Sequence, residues 1–170
     1  KVGLTVAAAH EVERCYALLN ARIVDRRIAE MLLREAQHVR EAVRGTGRKG
    51  YAKAAERGLG FGPAFRLALW LQRNLRLERP LADALADRFE FLMMQRQVLS
   101  DLVPFARDKL QPLIGEEAAA EIIALTARRI ELVEESLLAL KLQYPTYAAD
   151  LQRQYLGRIA RQQESAAYQA

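Results

Sequence analysis

The chain contains a single cysteine, Cys15, so it cannot form an internal disulfide, and a small disulfide-stapled scaffold is excluded. Aromatic residues make up only 7% of it, and there are two histidines, His10 and His38. The most apolar stretch, Phe61 to Leu71, falls short of the roughly 20 residues a bilayer-spanning helix needs and carries Arg66 in its interior. There is no secretory signal pattern. No run alternates apolar and polar residues over strand length, so nothing competes with a helical reading.

What is present is 51% hydrophobic residues in 170, with Ala, Leu, Arg, Glu and Gln dominating. These are strong helix formers, and the length suffices for one core. The expectation is an all-α, multi-helix bundle with long helices, forming a single helical domain over residues 1–170. Lys1 at the start and the still-helical Arg161 to Tyr168 at the end add the expectation of a piece cut from a longer polypeptide.

Apolar spacing locates the helices. A long pattern opens at Thr5 and Ala7 and runs to Arg44, with Val12, Tyr16, Leu19 and Ile23 on one stripe and Ile28, Leu32, Ala36, Val39 and Val43 on a second. The stripes are offset around Arg26 and Arg27, which a bend, a break or a change of neighbours would explain. Gly45, Gly47 and Gly50 then interrupt, Tyr51 to Arg57 reads as a short helix, and Phe65 to Asn74 as another carrying Trp70. Pro80 opens a helix striped by Leu81, Leu85, Phe89 and Leu92, and Pro104 and Pro112 bracket a connector. Ala119, Ile123, Thr126, Ile130, Val133, Leu137, Leu140 and Tyr144 follow alternating steps of four and three, a heptad seam. Pro145 starts the last helix, with Leu151, Tyr155 and Ile159. Burial is expected for Ile123, Ile130, Leu137, Leu81, Leu85, Phe89 and Trp70. Ile123, Ile130, Val133, Leu137 and Leu140 form the candidate packing or dimer seam.

Chemistry-bearing patterns are sparse. Glu35 and His38 make a Glu-x-x-His pair, but a bundle di-iron site needs a second pair and two further glutamates, and His10 has no glutamate three residues before it. Gly45, Gly47 and Gly50 match the letters of a dinucleotide loop, yet they follow a helix where that motif requires a strand. Ser100, Ser136, Ser165 and Cys15 have no histidine placed to activate them. No catalytic residue, metal or cofactor is expected. Charge is more informative: residues 1–79 hold 16 Lys or Arg against 8 Asp or Glu, and residues 80–170 hold 10 against 13. Arg44, Arg48, Lys49, Lys53 and Arg57 surround Tyr51 and form a basic loop that either meets an anionic surface or is a solvated connector.

Three stretches, Arg22-Ile23-Val24-Asp25-Arg26-Arg27-Ile28-Ala29-Glu30, Arg66 to Leu71 with Pro80 to Phe89, and Leu140-Lys141-Leu142-Gln143-Tyr144-Pro145, resemble the helical region that follows the membrane domain in bacterial monovalent cation:proton antiporters of the sodium/proton exchanger type. The resemblance implies a regulatory or coupling segment on the cytoplasmic side of the inner membrane, itself soluble, with no transport residues of its own. The partners it implies are the membrane domain, a cyclic-nucleotide-binding domain where one follows, and a second protomer in a homodimer. It brings no nucleic acid. With it, the basic residues from Arg44 to Arg57 would face anionic lipid. The alternative class is a stand-alone helical adaptor, or a nucleic-acid-binding regulator, using the same basic face.

Overall fold

The computed structural model describes residues 2–22, 24–60 and 62–169. Among these the chain is all-α, without a strand: α1 (Val2–Ala21), α2 (Arg26–Thr46), α3 (Arg48–Arg57), α4 (Pro63–Leu75), α5 (Glu78–Phe105), a π-helical turn (Ala106–Leu110), α6 (Gln111–Ile114), α7 (Glu116–Gln143) and α8 (Pro145–Gln169). Ile23, expected on the first apolar stripe, and Phe61, at the head of the most apolar stretch, lie outside the described residues.

Local chemistry sets the boundaries. The offset near Arg26 is a break: Arg22 adopts φ 53°, and Asp25 caps α2 by accepting the Arg27 backbone N–H at 2.9 Å. Gly47, at φ 63°, is the whole turn between α2 and α3, so the basic segment is not a loop but a helical hairpin. Pro63 opens α4 in the first turn, and Arg76, at φ 54°, ends it as a left-handed cap. Gly115, at φ 92°, separates α6 from α7, whose first turn carries Glu116 and Glu117 where the helix dipole favours them. At the last junction the Ala148 N–H bonds the Tyr144 carbonyl and Pro145 takes the first helical position.

The expected connector between Pro104 and Pro112 is absent; helix runs through both. Proline removes one i→i−4 hydrogen bond from the ladder, and here α5 continues past Pro104 into the wider π turn, which keeps Ala106 and Leu110 in the core.

The chain divides into two compact units: one from Lys1–Phe61 and Phe91–Ser136, the other from Gly62–Glu90 and Leu137–Ala170. Both α5 and α7 have 28 residues, about 42 Å at 1.5 Å per residue, longer than the core of a small domain, so each contributes to both units. The first unit packs Leu4, Ala7 and Ala8 of α1 with Val39 and Val43 of α2, Tyr51 and Ala54 of α3, Ala106, Leu110, and Ile122 of α7. The second packs Phe65 of α4 with Leu81 and Leu85 of α5, Leu140 of α7 and Ala148 of α8. In it, the Tyr144 ring meets Phe65 and Tyr147 edge-on at 6.5 Å, and Phe89 meets Tyr155 at 6.0 Å.

Leu81, Leu85, Phe89 and Leu137 are buried as their periodicity requires. Trp70 is not. It remains 53% exposed because α4 turns Phe65 and Ala68 inward, and Trp70 lies on the opposite side of the helix. The seam of α7 also differs. Its buried residues are Ala119, Ile122, Thr126, Arg129, Val133, Leu137 and Leu140, while Ile123 and Ile130 are half-buried at its edge. Where the pattern offered a choice between neighbours, the fold took Ile122 and Arg129. Val133, Leu137 and Leu140 are covered within the single chain, so this seam leaves them no free surface for a dimer.

Candidate functional site

Arg129 and Glu11 form the most unusual constellation in the first unit. Glu11 follows Ala7 and Ala8 on the buried face of α1, and Arg129 sits between Thr126 and Val133 on that of α7. Arg129 Nη1 donates to Glu11 Oε2 at 2.6 Å, and their side chains are 2% and 3% exposed. The guanidinium carbon lies 5.6 Å from the centroid of the Tyr51 ring, so α1, α3 and α7 meet at one cation. Burial opposes the charge on Arg129, but the Glu11 carboxylate and the Tyr51 side chain outweigh it and hold its pKa above the ordinary value. Arg129 Nη2 has no hydrogen-bond partner among the described residues. Sequence reading missed this pair. Its only trace in the sequence is a charge of opposite sign at a core position on each of two apolar stripes.

Cys15 is next along the same face of α1 and is 1% exposed. Burial, followed by the nearby Glu11, pushes its thiol up to about 12, so it stays protonated at neutral pH and is no nucleophile. His10 stacks flat on Phe105, with ring centroids 3.6 Å apart. Burial lowers its pKa below 6.5 against the opposing pull of Glu13. A histidine whose folded pKa is depressed binds fewer protons than in the unfolded chain, so its contribution to stability is complete above about pH 6.5 and is lost as pH falls below that value. His10→Gln is therefore expected to flatten the acid side of the melting temperature's pH profile, which thermal scans between about pH 5 and 8 would measure.

The basic residues of the α2–α3 hairpin fall into two groups. Arg44 pairs with Glu41 at 3.1 Å and Arg48 with Glu121 of α7 at 3.0 Å. Lys49, Lys53 and Arg57 recur every four residues along α3, all exposed and without an ion pair among the described residues. The hairpin is close-packed. A β-carbon on Gly50 would lie 2.1 Å from the Ala42 carbonyl oxygen, and one on Gly58 would lie 2.0 Å from the Glu35 carboxylate. Glu35 thus lies against the end of α3, whereas His38 is exposed, so the Glu-x-x-His letters do not converge. Among the described residues no three His, Cys, Asp or Glu side chains cluster as a metal site.

A cavity of about 430 Å³ lies beside the hairpin, lined by Gly3 and Leu4, by Gly45 to Arg48, and by Ala118, Glu121, Ile122 and Leu125. Its charged groups, Arg48 and Glu121, satisfy each other, leaving little polar chemistry to orient a small ligand. Among the described residues no helix is long and apolar enough to cross a membrane.

Comparison with known proteins places no relative beside this chain. No family model matches it, and no curated protein or solved structure matches it at a significant level. The geometry of the site offers packing and surface charge, with the buried Cys15 thiol protonated and the Glu11–Arg129 ion pair buried.

Proposed function

We propose that this chain is a regulatory or coupling domain of a bacterial monovalent cation:proton antiporter, on the cytoplasmic side of the membrane, acting through helix packing on a membrane domain outside this sequence. The observation that carries the reading is where the resembling phrases fall. Arg22 to Glu30 spans the α1–α2 break with its Asp25 cap and Leu140 to Pro145 spans the α7–α8 junction, while Arg66 to Leu71 lies within α4 and Pro80 to Phe89 within α5. At these two junctions the likeness lies in residues that punctuate the helices, not only in generic helical composition. The buried Glu11–Arg129 pair fits a coupling element, since it fixes one register between helices far apart in sequence. Lys49, Lys53 and Arg57 are the basic residues still available to anionic lipid, and dimerisation, which belongs to this reading, would need a surface other than the α7 seam.

Everted membrane vesicles bearing the full-length gene product provide the test. Addition of sodium or potassium should dissipate an imposed proton gradient, and deletion of the segment corresponding to residues 1–170 should shift the pH or cation dependence of that exchange. A gene product without cation-driven proton movement overturns the reading. The exposed basic stripe on α3 also favours a second reading, a nucleic-acid-binding adaptor, which salt-sensitive retardation of duplex DNA by the isolated chain would support.

A further inference from the structure

The second unit carries a feature that neither its core nor the basic hairpin explains. Leu67, Trp70 and Asn74 share the face of α4 opposite Phe65 and Ala68, and Leu67 and Trp70 are 58% and 53% exposed. Leu75 and Leu77, at the end of the helix and just beyond it, are 57% and 47% exposed. A tryptophan is the largest side chain the core had available, and it is the only one in the chain. Around these residues stand Arg66, Arg73, Arg76 and Arg79, all exposed and none in an ion pair among the described residues. From Pro63 to Ala82 the only acidic residue is Glu78, which accepts hydrogen bonds from Tyr147 and Gln72.

We propose that this face of α4 is a docking surface for an anionic lipid bilayer. An exposed tryptophan and leucines on one side of a helix, bordered by unpaired arginines, have the chemistry of an interfacial segment: the rings and methyls enter the acyl boundary and the guanidiniums hold phosphates. The excess of positive charge selects an anionic surface over a neutral one. Tryptophan is also the side chain best matched to that depth, with an apolar body and one N–H donor. Four arginines around the apolar centre would meet the same sign of charge on a second copy of this chain, so self-association through this face is disfavoured. The proposal is independent of the antiporter reading, because it needs only a lipid surface and not a transporter.

Trp70, as the sole tryptophan, reports on this face directly. The whole chain is titrated with vesicles of phosphatidylcholine alone, or of phosphatidylcholine and phosphatidylglycerol in equal parts. The expected result is a blue shift of emission with the anionic vesicles only, quenched by brominated acyl chains and weakened by salt. Arg66→Glu with Arg73→Glu should weaken binding by about tenfold or more, since each basic residue near an anionic surface contributes measurably. Lys49→Glu with Lys53→Glu should leave the blue shift in place, which separates α4 from the α3 stripe. Circular dichroism of these surface variants should match the parent. The proposal is overturned by unchanged emission with both vesicle types, by an equal shift with neutral vesicles, or by a shift that follows protein concentration without lipid, the last marking a self-association face instead.

Discussion

Arg129→Met is expected to destabilise the first unit by about 3–5 kcal/mol, because it leaves the Glu11 carboxylate buried without its cation. Against the roughly 5–15 kcal/mol that holds a typical domain folded, this is a large loss, and chemical denaturation would show an early transition for that unit. The pair itself is a different matter. Removing both charges from water is costly, so Glu11→Leu combined with Arg129→Met should recover most of the stability and can equal the parent. The cycle of two single variants and the double variant therefore isolates the coupling. If Arg129→Met melts like the parent, the ion pair is not the pin between α1 and α7 that its geometry describes.

Gly50→Ala is expected to destabilise the α2–α3 hairpin by about 1–3 kcal/mol, although helix propensity alone predicts the opposite sign. Alanine is better than glycine in a helix by up to about 1 kcal/mol, but here the added carbon would sit 2.1 Å from the Ala42 carbonyl oxygen and 2.4 Å from Thr46 Oγ1. Backbone cannot yield as a side-chain tip can, so the helices must separate, loosening Tyr51 where it packs under Arg129. Gly45 is the control. It is helical and nothing lies within 4 Å of its β-carbon position, so Gly45→Ala should be neutral or slightly stabilising. Denaturant midpoints of the two variants should move in opposite directions; a stabilised Gly50→Ala would mean that α2 and α3 do not approach so closely.

Periodicity was reliable wherever one face of a helix had one kind of neighbour. Ile28, Leu32, Ala36, Val39 and Val43 on α2 are all buried, as their spacing demands, and so are Leu81, Leu85 and Phe89 on α5. Punctuation was legible too: Gly47 stands between α2 and α3, and Pro145 opens α8. The connector between Pro104 and Pro112 was misread because proline signals a break only when the surrounding packing does not hold the helix together, and here Ala106 and Leu110 are held in the core. The basic residues of the hairpin were found as a set, but which of them remain free could not be read, since the partner of Arg48 is Glu121, far along the chain.

By itself, the sequence determined that this protein is helical, where most of its helices begin and end, and that the apolar stripes of α2 and of the first half of α5 leave water. Those are consequences of local propensity, capping and spacing, all of which act within a few residues. Tertiary structure decided the rest: that Ile122 and Arg129, not Ile123 and Ile130, enter the seam; that Trp70 faces outward; and that the two 28-residue helices serve two units. A charge can occupy a core position only if its counter-charge arrives from another helix, and an apolar ring stays outside when the other face of its helix has already filled the core. Both conditions depend on residues brought together over long separations, Glu11 and Arg129 being 118 apart, which no local pattern records.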